Sequence, residues 1–476
     1  MISIIDRSPE LELLGKFYQA ERAQLLAVYG RRRIGKTFLI NEFFRDKGLY
    51  FELTGIKDVP VKTQLVNFAG EYADVFNFGK PIPPPTTWFK AFELLRKEVQ
   101  KRNGEGKIIL FFDELPWLAS PRSHFLAALD HTWNRYFSRI KNLIVVICGS
   151  AASWMIKKVL QNKGGLHGRL TGKLHMMPFT LKETRTFLEA QRIQFPPRQL
   201  IELYMGVGGV AEHLIGLTPG QSVSQLIQSR YFEKAAPLRA EFHPLFASLF
   251  DDYTHHLAVI EALAGSHYGL SVDELLAKTG LPSGGSFTLV LTELLEAGFI
   301  LFLPQFGNKK KAGKYVLADE FTLFYLKWVR EWETGIADLS GHWQRQSNTP
   351  AFRSWAGYAF ETICIKNIAG IKQQLGIAGV TARVSQWRDE HTQIDLVIDR
   401  DDQCINLCEI KFHGAQYAMT EKDAGELQRK KARFLEKTGT RKAVFLTLIT
   451  VHGAVRNAHY INSVDNHVDA AGFVEG

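Results

Sequence analysis

The stretch Gly30-Arg31-Arg32-Arg33-Ile34-Gly35-Lys36-Thr37 constrains the fold more than any other part of the chain. A loop of the form G-x-x-x-x-G-K-[ST] works only between a strand and a helix. Its backbone N–H groups must turn inward on one spot, and the positive end of a helix must point at the same spot. The flanks meet that demand. The apolar run Gln24 to Tyr29 predicts a strand, and Thr37 to Phe44 predicts a helix. The spacing is that of a nucleotide phosphate loop, in which Gly30, Arg31, Arg32, Arg33, Ile34 and Gly35 line the phosphates. Lys36 then reaches the β- and γ-phosphates, and the Thr37 hydroxyl ligates Mg²⁺. A Gly-rich turn can be purely structural, but the Lys-Thr pair in this context favours the phosphate reading.

A second signature follows. Lys107 to Phe112 is a continuous apolar run ending in Asp113-Glu114. A buried parallel strand delivers Asp113 to the carboxyl edge of a sheet, where it can hold the Mg²⁺ shell. Glu114 beside it is the candidate general base for an attacking water. Together with the phosphate loop this pattern points to ATP hydrolysis. Asn142 to Ser150 is a further buried strand with a polar tip, which makes Ser150 the candidate γ-phosphate sensor. Arg169 follows a Gly-rich loop at Gly164-Gly165-Leu166-His167. It is a candidate finger on a neighbouring subunit's nucleotide, the alternative being a solvated charge. Strands alternating with helices over 1–176 predict a doubly wound parallel sheet.

At 476 residues the chain is too long for one core, and two to four domains are expected. Hydrophobic content of 46% and charged content of 22% are ordinary for a soluble globular protein. No apolar run has the length of a membrane span, and the first residues lack a secretory pattern, so a cytoplasmic protein is expected. Four cysteines are too few for a disulfide framework. Cys404 and Cys408 near His413 read as small strand residues in preference to a zinc site. A formal net charge of +9 favours an anionic partner, DNA first.

Residues 177–244 carry helical spacing, with Leu181, Gln199 and Gly206 opening successive segments. Over 245–335 the pattern is helix, turn, helix, then two apolar runs around a basic tip at Lys309-Lys310-Lys311. Ser271 is a good N-cap and Gly280 a good helix stop. This order predicts a winged helix. Its second helix, from Phe287, has no Arg or Lys through Glu293, which weighs against direct base reading and leaves protein docking open. Residues 336–350 are expected to be a linker.

In 351–476, Phe352 to Ile368 has the pattern of an amphipathic helix and includes Glu361. Two strand-like runs follow, one carrying Asp395 and one carrying Glu409-x-Lys411. Strand-borne Asp followed by Glu-x-Lys is the signature of a metal-dependent nuclease core. Asp395 and Glu409 are candidates to hold Mg²⁺ over a scissile phosphate, with Glu361 completing the shell. Lys411 shares a strand face with Glu409 and is placed to orient water or stabilise charge. The plainer alternative is a hairpin with solvated charges, against which these carboxylates interrupt apolar strands. Lys422, Arg429, Lys430, Lys431, Arg433, Lys437, Arg441 and Lys442 crowd the next stretch, as phosphate-backbone binding requires.

On Gly30 to Thr37, Asp113-Glu114 and the Asp395…Glu409-x-Lys411 set, the chain resembles prokaryotic, mostly archaeal-type ATPases at the border of the STAND and AAA groups. The resemblance covers nearly the whole chain. One departure is Ala211, where relatives often carry Pro. The resemblance implies an α/β P-loop ATPase with a helical lid, then a winged helix, then a C-terminal restriction-endonuclease-like domain similar to the PD-(D/E)XK superfamily. It implies ATP and Mg²⁺ as cofactors. Three outputs stay open: an ATP-dependent DNA-cutting enzyme, an ATP-regulated switch with an inert nuclease fold, and an ATPase that engages a protein partner. A homo-oligomer is hinted at by Arg169 alone.

Overall fold

Strand β1 (Gln24–Gly30) is buried at every position, as a strand covered on both faces must be. In the computed structural model, which describes residues 4–150, 152–160, 165–250, 252–307, 312–332 and 339–475, β1 belongs to a five-stranded parallel sheet. The others are β2 (Leu49–Thr54), β3 (Ile108–Asp113), β4 (Leu143–Gly149) and β5 (Gly172–Met176), in the order β2-β3-β4-β1-β5. Side-chain alternation divides the strands between two cores. Leu25, Ala27, Leu110, Phe112, Val145 and Ile147 pack with Trp88, Phe92 and Phe125 on one face. Leu26, Val28, Ile109, Phe111, Ile144 and Val146 pack with Leu14, Leu39, Ile40 and Phe44 on the other. The doubly wound arrangement follows from that two-sided burial.

The strands expected from the three apolar runs fall at β1, β3 and β4, and β5 is an addition. Its sequence, Gly172-Lys173-Leu174-His175-Met176, offers only Leu174 and Met176 as buried apolar positions. It becomes a strand by pairing with β1, Leu26 opposite Gly172 through Gly30 opposite Met176.

Contacts divide the chain into two units, Met1–Pro178 with Leu245–Asp251, and Phe179–Pro244 with Asp252–Gly476. In the second unit, helices Leu181–Ala190, Pro197–Val207, Ala211–Ile215 and Val223–Tyr231 come first. Thr180 and Ser222 each close a capping box on the helix they precede. Helices Thr254–Ala264, Val272–Thr279 and Gly285–Glu296 lead into an antiparallel ribbon of β6 (Ile300–Pro304) and β7 (Gly313–Leu317). Ser271 and Gly280 cap the middle helix as predicted, with Gly280 left-handed at φ 67°. The basic tip Lys309 to Lys311 lies outside the described residues.

A second sheet closes the chain, in the order β12-β11-β10-β9-β8. Its strands are β8 (Ala382–Arg388), β9 (Gln393–Arg400), β10 (Cys404–Lys411), β11 (Ala443–Thr450) and β12 (Asn466–Asp469). Strands β8, β9 and β10 pair antiparallel, whereas β10, β11 and β12 pair parallel. Helix Pro350–Lys366 precedes the sheet and helix Glu421–Thr438 links β10 to β11. The expected linker is instead part of a core where it is described. Helix His342–Gln346 buries Trp343 to 4% exposure. Its ring packs 4.8 Å from Phe324 and 5.4 Å from Phe352. No described helix is long and apolar enough to cross a membrane.

Candidate functional sites

The phosphate loop leaves β1 at Gly30, whose φ of 143° suits only glycine, and a Cβ there would meet the Met176 carbonyl oxygen at 2.2 Å. Gly35, at φ 90°, then caps the helix Lys36–Phe44. Lys36 is 6% exposed, and its Nζ donates to the Arg31 carbonyl at 2.7 Å. Desolvation pushes its ammonium below the ordinary lysine range, with Cys148, Glu114 and Asp113 opposing. The Thr37 Oγ1 donates to Asp113 Oδ2 at 2.6 Å. A hydroxyl and a carboxylate in contact are the hard oxygen donors that Mg²⁺ takes together with phosphate oxygens.

Strand β4 lies between β1 and β3, so its tip stands between the loop and the Asp113-Glu114 pair. Ser150 Oγ donates to both Glu114 carboxylate oxygens, at 3.0 and 2.8 Å. Burial raises the Glu114 carboxyl, the Ser150 hydrogen bond lowers it, and Asp113 raises it further. The three loop arginines separate. Arg31 is buried at 1% exposure, whereas Arg32 and Arg33 are exposed. The Arg32 charge bears on both Lys36 and Glu114. Arg169 is exposed.

Arg7 is a residue that motif spacing does not find. Its guanidinium donates to the Met177 carbonyl at 2.9 Å and to the Ile34 carbonyl at 3.4 Å, bracing the loop from beneath. Arg7 also pairs with Glu10 at 3.2 Å, but its contacts to the loop are to backbone carbonyls, which leave no signature in sequence.

The second site gathers around β9 and β10. Glu361 and Asp395 lie close enough to Glu409 for its charge to raise both, and Asp395 raises Glu361 as well. Desolvation, then Glu409, pushes Asp395 up to about 7. Glu361 is also raised well above its usual range, by desolvation and then by Asp395 and Glu409. Glu409 is lowered, because Lys411 and Lys430 outweigh its burial. Lys411 Nζ donates to Glu409 Oε1 at 2.9 Å and Lys430 Nζ to Oε2 at 2.6 Å. Asp395 Oδ2 accepts from the Ile410 N–H at 3.2 Å. Among the described residues no group of three or more His, Cys, Asp or Glu side chains is gathered to hold a metal ion. Glu361 is therefore a neighbour of the pair and not a third member of a ready-made shell. Asp395 and Glu409 remain an oxygen pair of the kind Mg²⁺ uses with substrate phosphates.

The basic stretch is partly neutralised by the protein's own carboxylates. Lys430 serves Glu409, Lys431 lies 3.7 Å from Asp465, Arg433 lies 2.6 Å from Asp389 and Lys442 lies 2.6 Å from Asp399. Lys422, Arg429, Lys437 and Arg441 are exposed. Half of the expected phosphate contacts are thus structural ion pairs.

Residues 4–217 match the family described as an ATPase domain predominantly from Archaea. An uncharacterized protein of Methanocaldococcus jannaschii is 23% identical over 442 residues, covering 90% of this chain and 91% of that protein. An uncharacterized ATP-binding protein of the same organism is 40% identical over 47 residues, 10% of this chain and 80% of its own length. Among solved structures, the Walker-type ATPase of Pyrococcus abyssi aligns with 68% of this chain and 96% of its own, at 16% identity and a TM-score of 0.48. The ORC2 protein of Aeropyrum pernix in its ADPNP–ADP complexes aligns with 73% of this chain and 97% of its own, at 16% identity and a TM-score of 0.44. Residues 4–217 of this chain form an ATPase domain of the family found predominantly in Archaea.

Proposed function

We propose that the chain binds and hydrolyses ATP at Gly30 to Thr37 and uses that cycle to control a DNA-acting, nuclease-type centre at Asp395, Glu409 and Lys411. The observation that carries the first half is the Thr37–Asp113 contact at 2.6 Å beside buried Lys36. When bound, Mg²⁺ there supplies charge neutralisation between the phosphates. Lys36 holds the β- and γ-phosphates, Ser150 orients the Glu114 carboxylate, and Glu114 takes the proton of the attacking water. Helices in 177–244 serve as the lid, 245–335 as the winged helix and 351–476 as the nuclease-like domain. Arg169 is assigned to a neighbouring subunit's nucleotide.

The second half is supported by Asp395 raised by Glu409, Glu361 raised by both, and a lysine two residues beyond Glu409 on the same strand face. Lys411 stabilises charge on a cleaved phosphate and Asp395 and Glu409 hold the divalent cation. One observation favours a second reading, an inert binding module: Lys411 and Lys430 already satisfy Glu409. Purified protein incubated with plasmid, Mg²⁺ and ATP separates the two. Cleavage lost in Asp395→Ala and modulated in Lys36→Ala supports the nuclease. Retained DNA binding with no cleavage under any metal or nucleotide condition leaves the switch.

A further inference from the structure

A cleft beside the carboxylate–lysine centre brings together aromatic rings, amides and a guanidinium. The β6–β7 ribbon meets the edge strand β8 there. Gln305 pairs with Gln386 as a parallel bridge, and the Phe306 N–H donates to the Gln386 carbonyl at 2.9 Å. Tyr268, Lys314, Gln386, Trp387, Arg388 and Gln393 line a narrow, solvent-open groove between them.

The rings are arranged before any ligand arrives. His267 stacks on Tyr358 with centroids 3.9 Å apart and planes 11° from parallel. Tyr268 meets Tyr358 edge-on at 6.4 Å, and the Arg388 guanidinium lies 4.9 Å from the Tyr268 centroid. His267 and Tyr268 are nevertheless exposed, Tyr268 at 37%. A tyrosine fixed by a second ring and a guanidinium, yet open to solvent, is a preorganised stacking surface. Two spacings tie it to the charged centre. Tyr358 stands one turn before Glu361 on the helix Pro350–Lys366, and Gln393 stands two residues before Asp395 on the same face of β9.

We infer that the rim of this groove is a nucleobase stacking surface, holding one unpaired base of a single-stranded nucleic acid on Tyr268 and His267 so that its phosphate lies against Asp395, Glu409 and Lys411. The inference rests on the proposed nucleic-acid role of residues 351–476 and adds the substrate class, a strand with unpaired bases. Every base offers a π-face to Tyr268 and His267, and the Gln386 and Gln393 amides carry both a donor and an acceptor for a base edge. Gln305 already donates to the Arg388 carbonyl at 3.3 Å and acts as wall. Lys314, 3.3 Å from Glu274, adds a partly compensated cation at the rim. A base inside a duplex has its faces stacked and its edge paired, so it reaches such a surface only after leaving the helix.

The test is fluorescence anisotropy on the full chain in EDTA, which removes cleavage from the readout. The probes are a labelled single strand, its duplex, and the same single strand with abasic positions. Wild type binds the single strand more tightly than the duplex or the abasic strand. Tyr268→Ala weakens single-strand binding about tenfold with duplex affinity unchanged, and Tyr268→Phe restores it. Gln393→Ala, the second variant, also weakens single-strand binding selectively. Equal affinity for all three probes, or wild-type single-strand binding in both Tyr268→Ala and Gln393→Ala, overturns the stacking surface and leaves the nucleic-acid reading standing. No binding of any probe by wild type overturns both.

Discussion

Replacing Ser150 with alanine tests the proposed chemistry of the ATPase site most directly. The Ser150 hydroxyl donates to both oxygens of Glu114, at 3.0 and 2.8 Å, in a setting where burial already disfavours the ionised carboxylate. A hydrogen bond to a charged group contributes about 1.5–3 kcal/mol, and 1.36 kcal/mol corresponds to one pKa unit. The sign is fixed by the role. Glu114 acts as a base only when ionised, its carboxyl is raised, and activity is therefore lost as pH falls through its titration. Removing the hydroxyl raises it further, so the acidic limb of kcat against pH moves alkaline by about one to two pH units. Steady-state ATPase assays across pH, in wild type and Ser150→Ala, measure this. Alkaline of both limbs the two rates converge. A loss of equal size at every pH would refute the argument, since it would mean that Ser150 acts on the nucleotide and not through Glu114.

Three further outcomes follow from the geometry. Lys36→Ala removes the buried ammonium of the loop and weakens ATP binding at least tenfold, measured by titration with a fluorescent nucleotide. Asp395→Asn raises the melting temperature more at pH 8 than at pH 5. Asp395 is raised from 3.8 to about 7, so its stabilising contribution is present below the unfolded value and lost as pH rises through about 7. An equal gain at both pH values would contradict a desolvated carboxylate. Trp343→Ala costs about 3–5 kcal/mol and lowers the melting temperature of the second unit, whereas a residue in a true linker would have no such effect.

The phosphate-loop sheet was legible because its letters are dictated by chemistry at fixed spacing. Gly30, Gly35, Lys36 and Thr37 leave one strand–helix geometry, and continuous apolar runs mark β3 and β4 as buried on both faces. β5 was hidden because an edge strand with two buried side chains has no periodicity of its own; β1 supplies its order. Asp395, Glu409 and Lys411 were readable from the period of two along strands. Lys430 read as a phosphate-binding charge because helical spacing cannot tell which carboxylate a helix docks against. Trp343 was missed as core for a related reason: the residues that bury it, Phe324, Trp328 and Phe352, lie on flanking segments.

The bridge from Gln305 to Gln386 bears on how separable the parts of this chain are. Phe306 leaves the ribbon to pack 4.9 Å from Phe434, a fully buried ring of the C-terminal core. Glu320, just past the ribbon, is buried and takes the Lys366 ammonium of the helix that opens the C-terminal segment. Residues 351–476 expressed alone would lose all three partners and bare the backbone edge of β8 beside Trp387, a template for strand-to-strand association. Excision should therefore yield aggregation and not a minimal nuclease. Modularity in the order of motifs does not extend to folding: a cut at 350 falls inside one unit, and the first unit takes in Leu245–Asp251 from beyond Phe179.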